Sequence, residues 1–145
     1  MRTGVTQMIN KKLREEENQY CFACGRKNPI GLHLEFHEEG DTYTAMYIAP
    51  PEFQSYDGVM HGGIVSTLLD EIMGGYLYSK GHKAVTARLD VRYRKPTPIG
   101  TPLKIMGWIQ SRRGNFIDMC STVSLADGTV TAEGTAKIAI LEDEL

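Results

Sequence analysis

The chain has 145 residues, 41% of them hydrophobic and 23% charged, which is the size and composition of one globular domain around a single core. Its net charge of −2 excludes the basic balance that nucleic-acid binding requires. No apolar run approaches the ~20 residues of a membrane span, so neither nucleic acid nor a membrane is an expected partner.

The first stretch, "MRTGVTQMINKKLREEENQY", lacks the apolar segment of a secretory signal, and a cytoplasmic setting is expected. It is polar, without a strong apolar stripe, and reads as an arm or short helix over residues 1–20. Residues 21–145 are expected to form the single domain. "CFACG" follows, with Cys21 and Cys24 at the spacing of half a zinc site. Structural zinc takes four ligands, and no second Cys/His pair is spaced to supply the other two. An odd total of three cysteines also argues against a disulfide framework. A metal-free tight turn with two half-buried thiols is the expectation.

"GRKNPIGL" is rich in turn residues. "LHLEFHEEGDTYTAMYIAP" then shows two alternating runs around Gly40-Asp41, the pattern of a hairpin. "PPEFQSYDG" is a loop. From about residue 61 to 79, Val65, Leu68, Leu69, Ile72 and Tyr76 recur at helical spacing and make a core-facing stripe, with Gly81 as the stop. Four strand-like runs follow. "AVTARLDVRYR" sets Val85, Ala87, Leu89, Val91 and Tyr93 against Thr86, Arg88, Asp90, Arg92 and Arg94. Strict alternation therefore places Thr86 away from the helix-packing face. "LKIMGWIQSRRGNFIDMCSTVSL" reads as two strands about Arg113-Gly114-Asn115, and Asp127-Gly128 is a hairpin turn. The order is β-β-α-β-β-β-β. Connections this short forbid parallel crossovers, so the class is α+β: one helix on a curved, mainly antiparallel sheet.

The helix carries a second pattern. Gly63, Ser66, Thr67, Asp70 and Gly74 lie at i, i+3, i+4, i+7 and i+11, along one side and apart from the Leu68/Ile72 stripe. This small, polar strip with one carboxylate suits a groove more than a core. Glu71, beside it, reads as a solvated carboxylate. Gly74-Gly75 costs the helix about 1 kcal/mol per glycine relative to alanine, which close approach of a ligand or second helix would offset.

The "HGGIVSTLLDE" segment, with Asp70 nine residues after His61, the following "TARLDVRYRKPTPIG" and the opening "CFACGRKNPIGLHLEF" together resemble the hot-dog acyl-CoA thioesterases of the phenylacetate-degradation and hydroxybenzoyl-CoA type. The resemblance spans roughly residues 20–140. It implies a sheet wrapped around a central helix and hydrolysis of acyl-CoA to free acid and coenzyme A, without a cofactor or metal. It also implies that the amide of Gly63 polarises the thioester carbonyl and that Asp70 activates water or attacks directly. His61 is either a helix cap or a substrate contact. Some members carry a polar residue, often asparagine, six positions before the histidine, where Ser55 stands here. A strand threonine assists in some relatives, and Thr86 occupies that place. Gly62, Ser55, Thr67, Thr86 and Arg88 are the expected substrate-binding positions. Arg88, Arg92, Arg94 and Lys95 form either a cluster for the phosphates of coenzyme A or a solvated strand face.

These residues suit the chemistry on physical grounds. Backbone N–H groups at a helix N-terminus stabilise developing negative charge. A carboxylate serves as base or nucleophile, and a thiol leaving group, of pKa ~8.5 by analogy with cysteine, needs no strong general acid. Gly63 and Asp70, however, are about 10 Å apart along one helix at ~1.5 Å per residue. Two antiparallel copies of the helix bring them together, so a homodimer, or a dimer of dimers, is expected with sites shared between chains. A non-catalytic acyl-CoA-binding or regulatory hot-dog protein is the alternative, and Asp70 speaks against it. A hydratase fits less well, because His61 is not placed as its partner acid.

Overall fold

The computed structural model describes residues 17–142. The elements are β1 (His37–Glu39), β2 (Thr42–Tyr47), a single 3-10 turn (Pro51–Phe53), α1 (Gly62–Ser79), β3 (Lys83–Tyr93), β4 (Leu103–Arg113), β5 (Phe116–Leu125) and β6 (Val130–Glu142). This is the order expected from the sequence. Most of the arm or helix expected over residues 1–20 lies outside the described residues; residues 17–20 are not helical, with a bend at 17 and a turn at 19 and 20.

All strand pairs are antiparallel, in the order β1-β2-β4-β5-β6-β3. The expected turns are in place: Gly40, Gly114 and Gly128 take φ of +58°, +59° and +90°, where a side chain would be strained. The sheet curves over α1, which packs on β2, β3, β4, β5 and β6, and this is the hot-dog arrangement. The side chains of Val65, Leu68, Leu69, Ile72, Met73, Tyr76 and Leu77 are buried against Ile105, Met119, Val123 and Ile138. Two strand glycines let the helix close in. A Cβ on Gly134 would lie 2.7 Å from Ser121 Oγ and 3.2 Å from Leu69 Cβ, and one on Gly107 would lie 3.2 Å from Ile72 Cγ2. Among the described residues no helix is long and apolar enough to cross a membrane.

One strand departs from its expected phase. The β3–β6 register shifts between Thr86 and Arg88, so that Thr86 faces Ile138 and Leu89 faces Ala136, with Ala87 as the extra residue. A bulge of this kind resets alternation. Ile138 and Ala136 are buried under the helix, and cross-strand partners share a face. Thr86 is therefore on the helix side with Leu89, not on the far side as strict alternation places it. Val85 is the residue turned outward, 50% exposed.

The helix–sheet seal should dominate stability. Leu69 is fully buried, and Leu69→Ala is expected to cost about 2–5 kcal/mol. In urea denaturation this appears as a lower midpoint with an unchanged slope.

Candidate active site

A pinned loop delivers the chain into α1. Residues 54 and 60 bridge across it, and Gly58 turns at φ +82° with its N–H donating to Gln54 Oε1 at 3.2 Å. The Met60 N–H donates to the Thr97 carbonyl at 2.7 Å and the His61 N–H to that of Phe53 at 2.8 Å. His61 then caps the helix: its Nδ1 accepts the Gly63 N–H at 2.9 Å. Of the two roles open to His61, this geometry displays the cap. It also means that the Gly63 amide, the expected oxyanion donor, already holds an acceptor, and that Nδ1 is unprotonated.

The polar strip is on the surface side of α1 as the spacing implies, with Ser66, Thr67, Asp70 and Gly74 half-buried and Gly63 exposed. Asp70 Oδ1 accepts a hydrogen bond from Thr86 Oγ1 at 2.7 Å. A bond of this length to an ionised carboxylate is of the charge-assisted kind. Thr67 Oγ1 is turned back onto the Gly63 carbonyl at 2.9 Å. The structure thus joins Asp70 with Thr86, and Gly63 with His61 and Thr67. It does not join these two groups within one chain. Ser55 is exposed on the entry loop, its N–H on the Val59 carbonyl at 2.8 Å. Arg88, beyond the bulge, is on the outer face and pairs with Asp90 at 3.0 Å. Arg94 pairs with Glu133 at 2.9 Å, which holds that carboxyl below its usual range.

Two features escape the sequence reading. Tyr93, read as part of the apolar alternation, donates its hydroxyl to the Gly62 carbonyl at 2.8 Å. Its oxygen also meets Ser66 Oγ at 2.5 Å; with the tyrosine proton committed to Gly62, Ser66 is the donor there. Tyr93 thereby ties β3 to the first turn of α1. Its position on the helix face of β3 was legible, but not its reach to a backbone carbonyl. The second is Glu71. It is not the solvated carboxylate expected beside Asp70, because the helix turns it toward the chain's N-terminal segment, where its Oε1 accepts from Cys24 Sγ at 3.5 Å and Cys21 Sγ at 3.7 Å. Burial pushes its carboxyl up, opposed by the thiol hydrogen bonds and reinforced by the charge of Asp70. Two surface grooves, of about 390 and 540 Å³, lie elsewhere: one on the outer sheet face around Arg88, Gln110 and Lys137, the other between residues 29–33 and 47–53.

A curved antiparallel sheet around one helix defines a hot-dog protein, and the lone carboxylate on that helix's polar strip marks a candidate surface site beside the edge of its sheet. A family model described as the thioesterase superfamily matches residues 57–132, just over half of the chain, from the entry loop through the helix to the start of β6. The chain belongs to this superfamily. It is 30% identical over 145 residues to acyl-coenzyme A thioesterase THEM4 of Mus musculus, across 96% of this chain and 63% of that protein. To the protein of the same name from Bos taurus it is 23% identical, across 96% and 60%. It thus spans about three fifths of the length of these curated relatives. A crystal structure of a thioesterase superfamily protein superposes with a TM-score of 0.79 at 21% identity, covering 94% of this chain and 79% of that one. A Streptococcus mutans UA159 protein bound to acetyl CoA gives 0.71 at 23% identity, covering 77% and 91%. Both are likenesses of fold.

The raised carboxyl of Glu71 has a definite sign. A group whose folded pKa exceeds its unfolded value of about 4.3 contributes stability that is complete below that value and is lost as pH rises through the folded one. In chelating buffer, the stability of wild type relative to Glu71→Gln should fall with rising pH from the ordinary carboxylate range upward. A difference that does not change across that range, in parallel thermal melts, contradicts the assignment.

Proposed function

We propose that the chain hydrolyses acyl-CoA thioesters, with Asp70 as base or nucleophile and the Gly63 amide as oxyanion donor. The observation that carries this reading is the Asp70–Thr86 hydrogen bond of 2.7 Å within the segment matched by the thioesterase model. Thr86 occupies one carboxylate oxygen and so fixes the direction of the other. As base, Asp70 takes a proton from water while the water oxygen attacks the thioester carbon. The oxyanion collapses, and the departing coenzyme A thiolate receives that proton. As nucleophile, the Asp70 carboxylate attacks the thioester carbon, the carbon–sulfur bond breaks to release coenzyme A thiolate, and water then opens the mixed anhydride to free acid and the Asp70 carboxylate, its spare proton going to the thiolate. In either route the acyl oxygen displaces His61 Nδ1 from the Gly63 N–H. His61 thus acts as a placeholder that keeps the amide aimed at the site. A cytoplasmic setting, where thiols stay reduced, is part of the reading.

The same reading makes the site a shared one. Gly63 and Asp70 stand about 10 Å apart on one helix, whereas both must act within about 3 Å of one reacting centre. β3 is 11 residues long and forms an end of the sheet order, with its outer side unpaired among the described residues. A long, open edge strand is a template for pairing with another chain. A Cβ on Gly74 would meet nothing within 4 Å, so the strip has room for a partner helix. A two-fold pairing at this edge sets Gly63 of one copy opposite Asp70 of the other, as a dimer or a dimer of dimers. One observation favours the alternative of a non-catalytic acyl-CoA-binding protein: the Gly63 amide is occupied by His61.

A panel of acyl-CoAs with a thiol-trapping dye separates the two, since only a hydrolase releases free thiol. Asp70→Asn is expected to fold and to lower kcat by about 10²–10⁴, the range for a lost general base; near-normal turnover removes Asp70 from the mechanism. Mixing tests the sharing. Asp70→Asn and Gly63→Pro, which lacks the N–H, are each expected to be inactive. After subunit exchange a shared-site heterodimer has one site with both lesions and one with neither, so activity returns, up to about one working site per heterodimer. Exchange without recovery means that each site is built from one chain.

A further inference from the structure

Outside the strip, one cluster of reactive side chains is brought together by the fold. Residues 18–28 wind into a tight knuckle: the Cys21 N–H donates to the Asn18 carbonyl at 3.0 Å, that of Gly25 to Cys21 at 2.9 Å and that of Lys27 to Gln19 at 2.9 Å. Only glycine fits at the turn, because a Cβ on Gly25 would lie 2.4 Å from the Cys21 nitrogen and the Gln19 carbonyl oxygen. The knuckle turns both thiols to one side, against α1, where Glu71 meets them. The two sulfurs and the carboxylate oxygen all lie within 4.8 Å of one another, and the three residues are half-buried.

We propose that Cys21, Cys24 and Glu71 form a binding site for a thiophilic divalent cation, Zn²⁺ above others, with the fourth position open to water. The distances fit such an ion. Bonds of ~2.3 Å to sulfur and ~2.1 Å to oxygen at tetrahedral angles put sulfur and oxygen ligands about 3.6 Å apart; the two observed separations are 3.5 and 3.7 Å. The donor set fits as well, since two soft thiolates select zinc over magnesium or calcium. Binding converts two thiols and one carboxylate to ligands and releases the two thiol protons, so uptake strengthens as pH rises. A redox disulfide suits the site less, because it leaves the converging carboxylate of Glu71 without a role. The sequence offers half a zinc site and no second Cys/His pair, hence the metal-free expectation; the helix supplies a carboxylate in its place. The ion would clamp the segment before β1, which lies outside the family-matched residues, onto the helix that carries Asp70. The proposal is independent of the catalytic reading, because its test measures metal.

The test is a titration of the reduced, chelator-treated full chain with cobalt(II). The expected result is one cobalt per chain, with thiolate-to-cobalt charge transfer in the near ultraviolet that zinc abolishes by displacement. Cys24→Ser should lose most of the band. Glu71→Gln should keep both thiolates but weaken binding by at least the roughly 10–100-fold seen when groups around metal ligands are removed. Cys120→Ser should bind as wild type does. Absence of the band in wild type at saturating cobalt overturns the site, as does binding that Cys24→Ser leaves intact. Binding as tight in Glu71→Gln as in wild type removes the carboxylate from it. Should Cys24→Ser fail to fold, the wild-type and Glu71→Gln titrations decide.

Discussion

Seven side chains of α1 are sealed against the sheet, and that seal sets the rotation of the helix about its own axis. Burying each such side chain contributes about 1.5–3 kcal/mol. Turning the helix by one residue position, ~100°, so that Asp70 took the place of Leu69, would bury the carboxylate and carry Leu68 and Ile72 to the places of half-buried Thr67 and Glu71. The hydrogen bond from Thr86 to Asp70 is worth about 1.5–3 kcal/mol as a bond to a charged group, too little to oppose several buried leucines. Packing therefore places the carboxylate, and the hydrogen bond only orients it.

The same rotation gives two adjacent carboxylates different surroundings. Asp70 meets the hydroxyl of Thr86 on β3, whereas Glu71 meets two thiols of the N-terminal knuckle. One is on the polar strip of the helix, beside an open sheet edge, and the other is in a half-buried cluster. Their chemistry diverges accordingly: a hydroxyl partner suits an ionised base, and two thiols with a carboxylate suit a soft cation. The helix is thus the common support of the two proposed sites on different flanks, with Gly107 and Gly134 allowing it to sit close to the sheet.

At the helix start the cap and the proposed chemistry use the same groups. His61 satisfies the Gly63 N–H, which a helix N-terminus otherwise leaves without an intrahelical partner. Tyr93 secures the Gly62 carbonyl from β3. The first turn is held from the loop on one side and from the edge strand on the other. An amide fixed in this way keeps its direction, the property an oxyanion donor needs.

Element order, the antiparallel class, the hairpin turns and the buried stripe of α1 were legible in the sequence, because each follows from local periodicity or from a residue's own backbone preference. The polar strip from Gly63 to Gly74 was legible for the same reason, since helical spacing alone puts these residues on one side. The side of β3 on which Thr86 stands was not, because a bulge is an extra residue relative to a partner strand and only the β6 pairing reveals it. Nor was the setting of Glu71, which depends on a contact across 47 and 50 residues, or the capping bond of His61, which depends on the loop pinned by Thr97. Periodicity decides which face of an element is apolar; what meets the other face is decided by long-range packing, and in this chain the proposed chemistry is on that other face.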